Sequence, residues 1–170
     1  MVPFMLRLCL VLVFSASMHL THAQDLGCPS AVSLNGGTIE VEADASGDDT
    51  ENIQCALDAA TDGGYRDVFL ASPSYSIGAI AVTGFIGDLR GRSKSGTQVT
   101  IQDSSLSCDG AVGVALEFRL GTASVRNMTV SVGSPCGDGG NASVIAYYSN
   151  PQQCDKRTTF GNVDRVVING

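Results

Sequence analysis

The sequence predicts a mainly β protein, a parallel β-helix in which short strands stack as successive coils, with one short α-helix covering the N-terminal end. Three observations support this prediction. Short β-branched runs recur between turns of Gly, Ser and Asp, in a chain with 20 glycines and only 16% charged residues. One amphipathic helix precedes most of these runs. The second half repeats a unit of strand, cysteine-containing turn and strand, which is typical of stacked architectures.

The first 23 residues are predicted to be a cleaved secretory signal peptide. Arg7 precedes an apolar run at 8–14, and the small residues Thr21 and Ala23 stand before a cut at Gln24. A membrane-spanning helix needs about 20 mainly apolar residues, so this run is too short to be an anchor. We therefore expect a secreted, extracellular protein with no membrane anchor, in which 24–170 form part of one β-helix domain.

Cleavage of the leader would restrict the chemistry of the mature chain, because both histidines, His19 and His22, lie in the leader. Ser-His-Asp catalysis, Cys-His catalysis and His-ligated zinc are then excluded within 24–170. Loss of Arg7 from the 10 basic residues leaves 9 against 17 acidic ones, a net charge of −8. Such an acidic chain is a poor general binder of nucleic acid or anionic membranes.

The helix is predicted to begin at Asp48, which is expected to cap it, with Glu51 completing a capping box. The pair at 63–64, both glycine, ends the helix. One apolar face implies that the helix covers the exposed end of a strand stack. That face consists of Ile53, Ala56, Leu57 and Ala60.

Alternating apolar positions predict four strands in the first half, at 67–71, 75–77, 79–82 and 97–102. In the second half, 99–101 and 114–118 flank one cysteine turn. The runs 128–130 and 144–148 flank the next turn, and a third unit starts at 166–169. This third unit starts later than the spacing of the first two units would place it. The extra residues lie in a polar segment, 150–157, which is expected to be an inserted loop and a binding face.

Five cysteines remain after cleavage, so one is left free, paired between chains, or paired with a residue beyond this sequence. Cys108 and Cys136 mark the two turns and are 28 residues apart. Stacking in register would separate them by about 4.8 Å, a distance that a disulfide can bridge, and we predict this bond. Asn127 and Asn141 begin glycosylation sequons and are expected on the surface if they are modified.

The segments 47–50, 53–54 and 56–60 resemble the opening of the pectate-lyase-like superfamily. The resemblance extends from about 44 to 101 and departs at 72–74, where a glycine usually precedes the tyrosine. It implies a right-handed parallel β-helix and an extracellular polysaccharide as partner. Solenoids normally carry a terminal cap, and nothing follows the last strand, 165–170, to cover its open end, so we expect this chain to be a fragment. The resemblance also implies catalytic groups in later coils, so we expect the active site to be incomplete.

Three functions are compatible with this resemblance: a polyuronate lyase, a glycoside hydrolase, or a non-catalytic surface or matrix protein that binds glycans or partner proteins. A hydrolase needs two carboxyl groups, and a lyase needs a base and usually Ca²⁺. The catalytic residues remain unassigned and no cofactor is evident, Ca²⁺ being expected only for a lyase. Asp109 and Asp138 could hold Ca²⁺, but turn formation alone explains both aspartates and is the favoured interpretation. The oligomeric state is left open.

Side chains on the outer face are the remaining candidates. Glu117 and Arg119 flank Phe118, whose side chain is expected to face inward. Arg126 and Arg165 lie in strands that correspond in the repeat, close to register. The best candidates for glycan contact are Tyr147 and Tyr148, beside the polar insertion. Alternation turns one of these two rings inward, so a core aromatic with an exposed neighbour explains them equally well.

Overall fold

The structure is a computed structural model that describes residues 26–102, 113–132, 142–148 and 160–169. Within these ranges the chain forms eleven strands and one helix, α1 (Thr50–Gly63). The strands are β1 (Val32–Asn35), β2 (Thr38–Val41), β3 (Asp67–Leu70), β4 (Ser74–Ile77), β5 (Ile80–Thr83), β6 (Ile86–Arg90), β7 (Gln98–Ile101), β8 (Gly113–Arg119), β9 (Thr122–Val132), β10 (Ala142–Tyr148) and β11 (Phe160–Asn169).

These strands form two sheets. The larger has eight strands in the order β1-β2-β3-β6-β9-β7-β4, with β11 also paired to β9. The smaller has three strands in the order β10-β8-β5. Strands β1 and β2 run antiparallel, whereas the other described pairs run parallel.

The predicted right-handed parallel β-helix is therefore wrong as a description of this fold, which is mainly β with one helix and a mixed sheet. The antiparallel pair closes on Gly36 and Gly37, both of which have the positive φ that glycine adopts readily in a tight hairpin. Side chains alternate between the two faces in parallel and antiparallel strands alike, so alternation in the sequence does not distinguish them.

The four strands predicted in the first half are found within one residue at either end, as β3, β4, β5 and β7. The alignment of the repeats was less accurate. Val114 pairs with Ser143, one residue from the predicted partner, and Val99 pairs with Val130, two residues away. Only the third start has the predicted register, with Ile168 beside Val130. Register follows the inward-facing positions rather than the most similar residues.

Apolar residues on paired strands form continuous rows inside the molecule. One row runs from Ile39 through Val68 and Leu89 to Val125, which is fully buried, and ends at Val163 of β11, which is 46% exposed. A second row, from Tyr75 through β7 and β9, ends in the same strand at Ile168, which is 52% exposed. Strand β11 therefore lies at one end of the core.

Helix α1 packs its predicted apolar face on the opposite end of the core. All four members of that face are buried, and Gly64 ends the helix in the left-handed conformation, as predicted. The predicted capping box is wrong, although Asp48 accepts a hydrogen bond from the first-turn N–H of Thr50 at 3.0 Å. Asp49 is the N-cap residue, and its side chain makes no capping bond. Its carboxylate instead accepts hydrogen bonds from the backbone N–H groups of Asp44 (2.5 Å) and Ser76 (2.8 Å), so it joins the helix to β4.

The side chain of Gln54 bonds to the edge of β5 as a neighbouring strand would. Its Nε2 donates to the carbonyl oxygen of Ala81 at 2.9 Å, and its Oε1 accepts from the Ala81 N–H at 3.1 Å. Nearby, the hydroxyl of Thr50 accepts from the Gly78 N–H at 2.6 Å. The helix thus satisfies backbone groups that would otherwise form an open sheet edge.

In the described ranges, no helix is both long enough and apolar enough to span a membrane. The predicted leader at 1–23 lies outside the described residues, so secretion stays a prediction.

Candidate functional site

The outer face of the three-stranded sheet brings together three of the outward-facing candidates. Register places Arg119 of β8 between Thr83 of β5 and Tyr148 of β10. Glu117 lies two residues earlier in β8 and therefore on the same face. Phe118, between them, is buried, in agreement with the predicted alternation. We call Glu117, Arg119 and Tyr148 the sugar face, because it includes Tyr148, one of the two residues predicted from the sequence to contact a glycan.

Arg119 is the exposed cation of this face. Its Nε donates a hydrogen bond to Oε1 of Glu117, and the side chain of Arg119 remains 53% exposed. This hydrogen bond, with the charge of Glu117, raises the pKa of Arg119 above its ordinary value. Glu117 thus gives the guanidinium a preferred orientation, while more than half of the Arg119 side chain stays accessible to a ligand.

The two tyrosines of β10 have different environments. Tyr147 faces inward and stacks on Phe118 with ring centroids 5.5 Å apart. Its ring also lies against Gly161, where no Cβ would fit, and its hydroxyl donates to the Asn162 carbonyl at 3.2 Å. Burial raises the pKa of Tyr147 to about 12. Tyr148 is 46% exposed on the sugar face, so it is the ring that a ligand can reach.

The arginines of the larger sheet are engaged within the protein. Arg90 forms two hydrogen bonds with the Asp67 carboxylate, at 2.6 and 2.7 Å, and its guanidinium lies 4.3 Å from the Phe69 ring centroid. Arg126 pairs in the same diagonal way with Asp88. The side chains of Arg90 and Arg126 are 32% and 35% exposed, against 53% for Arg119, so they are less accessible to an anionic ligand.

Arg126 and Arg165 lie on paired strands and close to register, as predicted, one residue from exact alignment. Asp164 lies opposite Arg126 in register, and Arg165 adopts a positive φ of 53°. Asn127, the residue after Arg126, has a similar positive φ of 58°. Both strands therefore bend at the same point of the repeat.

Asn127 of the first sequon is partly exposed at this bend, and its Thr129 hydroxyl donates to the Lys94 carbonyl at 2.6 Å. Several candidates lie outside the described residues: Cys108, Cys136, Asp109, Asp138, Asn141 and the 150–157 loop. The predicted disulfide and second sequon therefore stay predictions.

A disulfide joins Cys28 to Cys55, and sequence reasoning left this pairing open. It connects the segment before β1 to the outer side of α1. The helical spacing contained a usable signal, because the apolar face leaves Cys55 off the buried stripe and available to a partner outside the core. Beside it lies a groove of about 330 Å³ lined by Glu51, Asp58 and Asp62, and its charge makes it unsuitable for an anionic polymer.

No group of three His, Cys, Asp or Glu side chains in the described ranges is arranged to hold a metal ion. Glu117 is the one carboxylate of the sugar face, and glycoside hydrolysis ordinarily requires two. The arrangement is suited to binding, because the exposed residue Tyr148 lies beside the exposed cation Arg119.

Comparison of the chain with protein-family models, curated proteins and solved structures finds no significant match.

Proposed function

We propose that this is an exported protein that binds polysaccharide through the sugar face. One observation carries the proposal: strand register places the exposed Tyr148 ring beside the exposed guanidinium of Arg119. The face of an aromatic ring carries partial negative charge and attracts the C–H groups of a sugar ring. A guanidinium pairs with a carboxylate through two parallel hydrogen bonds. An acidic polysaccharide provides both partners.

Two further features support this choice. Glu117 orients Arg119 before a ligand arrives, which lowers the ordering cost of binding. The resemblance of 44–101 to the pectate-lyase-like superfamily points to the same class of ligand. Cleavage by elimination or hydrolysis is the second candidate, favoured by that resemblance, whereas the ion-paired Arg119 and single carboxylate favour binding without chemistry.

Binding can be tested with the chain from Gln24 to Gly170 by affinity electrophoresis through gels containing polygalacturonate, its methyl ester or a neutral glucan. We expect retardation on polygalacturonate. Tyr148→Ala should weaken binding to every polymer that is bound, by about tenfold, because the ring contact is independent of charge. Arg119→Gln should weaken binding to the acid form and leave binding to the methyl ester unchanged.

Arg92→Gln is the matched control, since it removes the same charge from an exposed residue outside the sugar face and should bind as the parent does. Absorbance of unsaturated uronides, followed with and without Ca²⁺, separates a lyase from a binder. Absence of retardation on all three polymers, or equal effects of the Arg119 and Arg92 substitutions, would overturn the proposal.

A further inference from the structure

The two ends of the core differ in what covers them. At one end, α1 buries its apolar face, and Gln54 bonds to the free edge of β5. At the other end, β11 pairs only with β9 and β10 only with β8 among the described residues. The apolar rows of the core end there at Val163 and Ile168, both substantially exposed. This second end combines an apolar surface with the edges of both sheets.

Strand β11 is self-complementary about its middle. An antiparallel copy of β11 that places Asp164 opposite Arg165 of the second chain creates two ion pairs, one on each side of a two-fold axis. The same register places Val163 opposite Val166, and Gly161 opposite Ile168. In an antiparallel pair, opposite residues point to the same face of the sheet, so these facing residues must have matching orientations.

The orientations do match. Val163, Val166 and Ile168 lie in register with Val125, Met128 and Val130 of β9, all of which are fully buried, so all three continue the inward-facing rows. The proposed register therefore joins inward residues to inward residues, and it joins opposite charges. A shift by one residue would set inward residues against outward ones and would put Arg165 opposite itself.

The bend at Arg165 is compatible with this pairing. Its positive φ divides β11 into a first arm, 160–164, and a second arm, 166–169. A two-fold axis through the bend brings the first arm of each chain beside the second arm of the other. Arginine has no conformational advantage at a positive φ, whereas asparagine, present at the equivalent bend as Asn127, tolerates it better. Within one chain Arg165 Nε donates to Asp164 Oδ2 at 3.1 Å, and both side chains stay substantially exposed. In the proposed register each of them also faces the opposite charge of the second chain.

We infer that two copies of this chain associate through β11 in a closed, two-fold antiparallel dimer. The contact covers the exposed ends of the apolar rows and completes the edge of the larger sheet. Addition through this contact stops at two copies, because a two-fold contact uses the same edge of β11 in both chains and leaves neither copy of that edge open.

The test uses the chain from Gln24 to Gly170 in sedimentation velocity over a concentration series that reaches about 100 µM. We expect a non-covalent dimer. Asp164→Lys and Arg165→Glu each place like charges opposite each other and should weaken association at least tenfold. An equimolar mixture of the two variants should regain the dimer, because the lysine introduced in one chain then faces the glutamate introduced in the other.

Arg92→Glu is the control for a change of charge on an exposed residue, and it should leave the dimer intact. Circular dichroism of each variant establishes that the fold is retained, and a denaturing, non-reducing gel distinguishes association from an interchain disulfide. A monomer across the series, assembly beyond two copies, a purely covalent dimer, or a mixture that stays monomeric would each overturn the inference.

Discussion

The sharpest consequence of the core arrangement concerns two valines that are neighbours in register. Val125 and Val163 belong to the same inward row, but Val125 is fully buried and Val163 is 46% exposed. Substitution of either by alanine removes two carbon atoms, each worth about 0.8 kcal/mol when buried. At Val125 the transfer loss of about 1.6 kcal/mol is increased by the cavity left behind, to a total of about 2–3 kcal/mol.

At Val163 roughly half the transfer loss remains and no closed cavity forms, so the expected loss is below about 1 kcal/mol. Urea unfolding followed by circular dichroism gives both values as changes in the free energy of unfolding. Dilute protein, at about 1 µM, keeps the chain monomeric, since association would stabilise the folded state by mass action. Equal losses for the two variants, or a larger loss at Val163, would refute the assignment of β11 to an open end of the core.

Three other perturbations have defined outcomes. Tyr75→Phe removes a buried hydroxyl that donates to the Val41 carbonyl at 2.6 Å and accepts from the Ser72 N–H at 2.7 Å. Urea unfolding should show that the free energy of unfolding falls by about 1–3 kcal/mol. No loss would contradict these bonds. Burial raises the pKa of Asp67, but hydrogen bonds from Arg90 and Thr38 outweigh it and lower the pKa below 3.8. The stability that Asp67 contributes is therefore present above pH 3.8 and is lost as pH falls through the folded pKa. Asp67→Asn should make the free energy of unfolding fall less steeply at acid pH. An unchanged fall would contradict this assignment. Gln54→Ala should speed hydrogen exchange at the amide of Ala81, measured by NMR, whereas exchange in β8 should stay unchanged.

The sequence predicted correctly those structural features that depend on the residues of one segment alone. The apolar stripe of α1 needed only helical spacing, and the four early strands needed only alternation between turns, so both were predicted closely. Phe118 was assigned inward for the same local reason. The β1–β2 hairpin and the register of β7 against β9 depend on how separate strands meet, and alternation is compatible with several such arrangements.

The sugar face could be predicted only in part. Glu117, Arg119 and the two tyrosines were identified as separate outward candidates, but their proximity depends on the register of β10 against β8, which the repeat misplaced by one residue. The ion pairs of Arg90 and Arg126 were missed because they join residues that are 23 and 38 positions apart in the chain, beyond any local pattern. The bond between Cys28 and Cys55 was missed for a similar reason.

The way α1 meets β4 and β5 also determines which changes of chain length the protein can tolerate. Asp49, Thr50 and Gln54 each bond to a backbone group, at Ser76, Gly78 and Ala81 respectively. Insertion or deletion of a single residue between Thr50 and Gln54 would rotate the glutamine by about 100° around the helix and release Ala81. Natural variation in length should therefore be absent from this helical turn and be accommodated instead by the connections between strands.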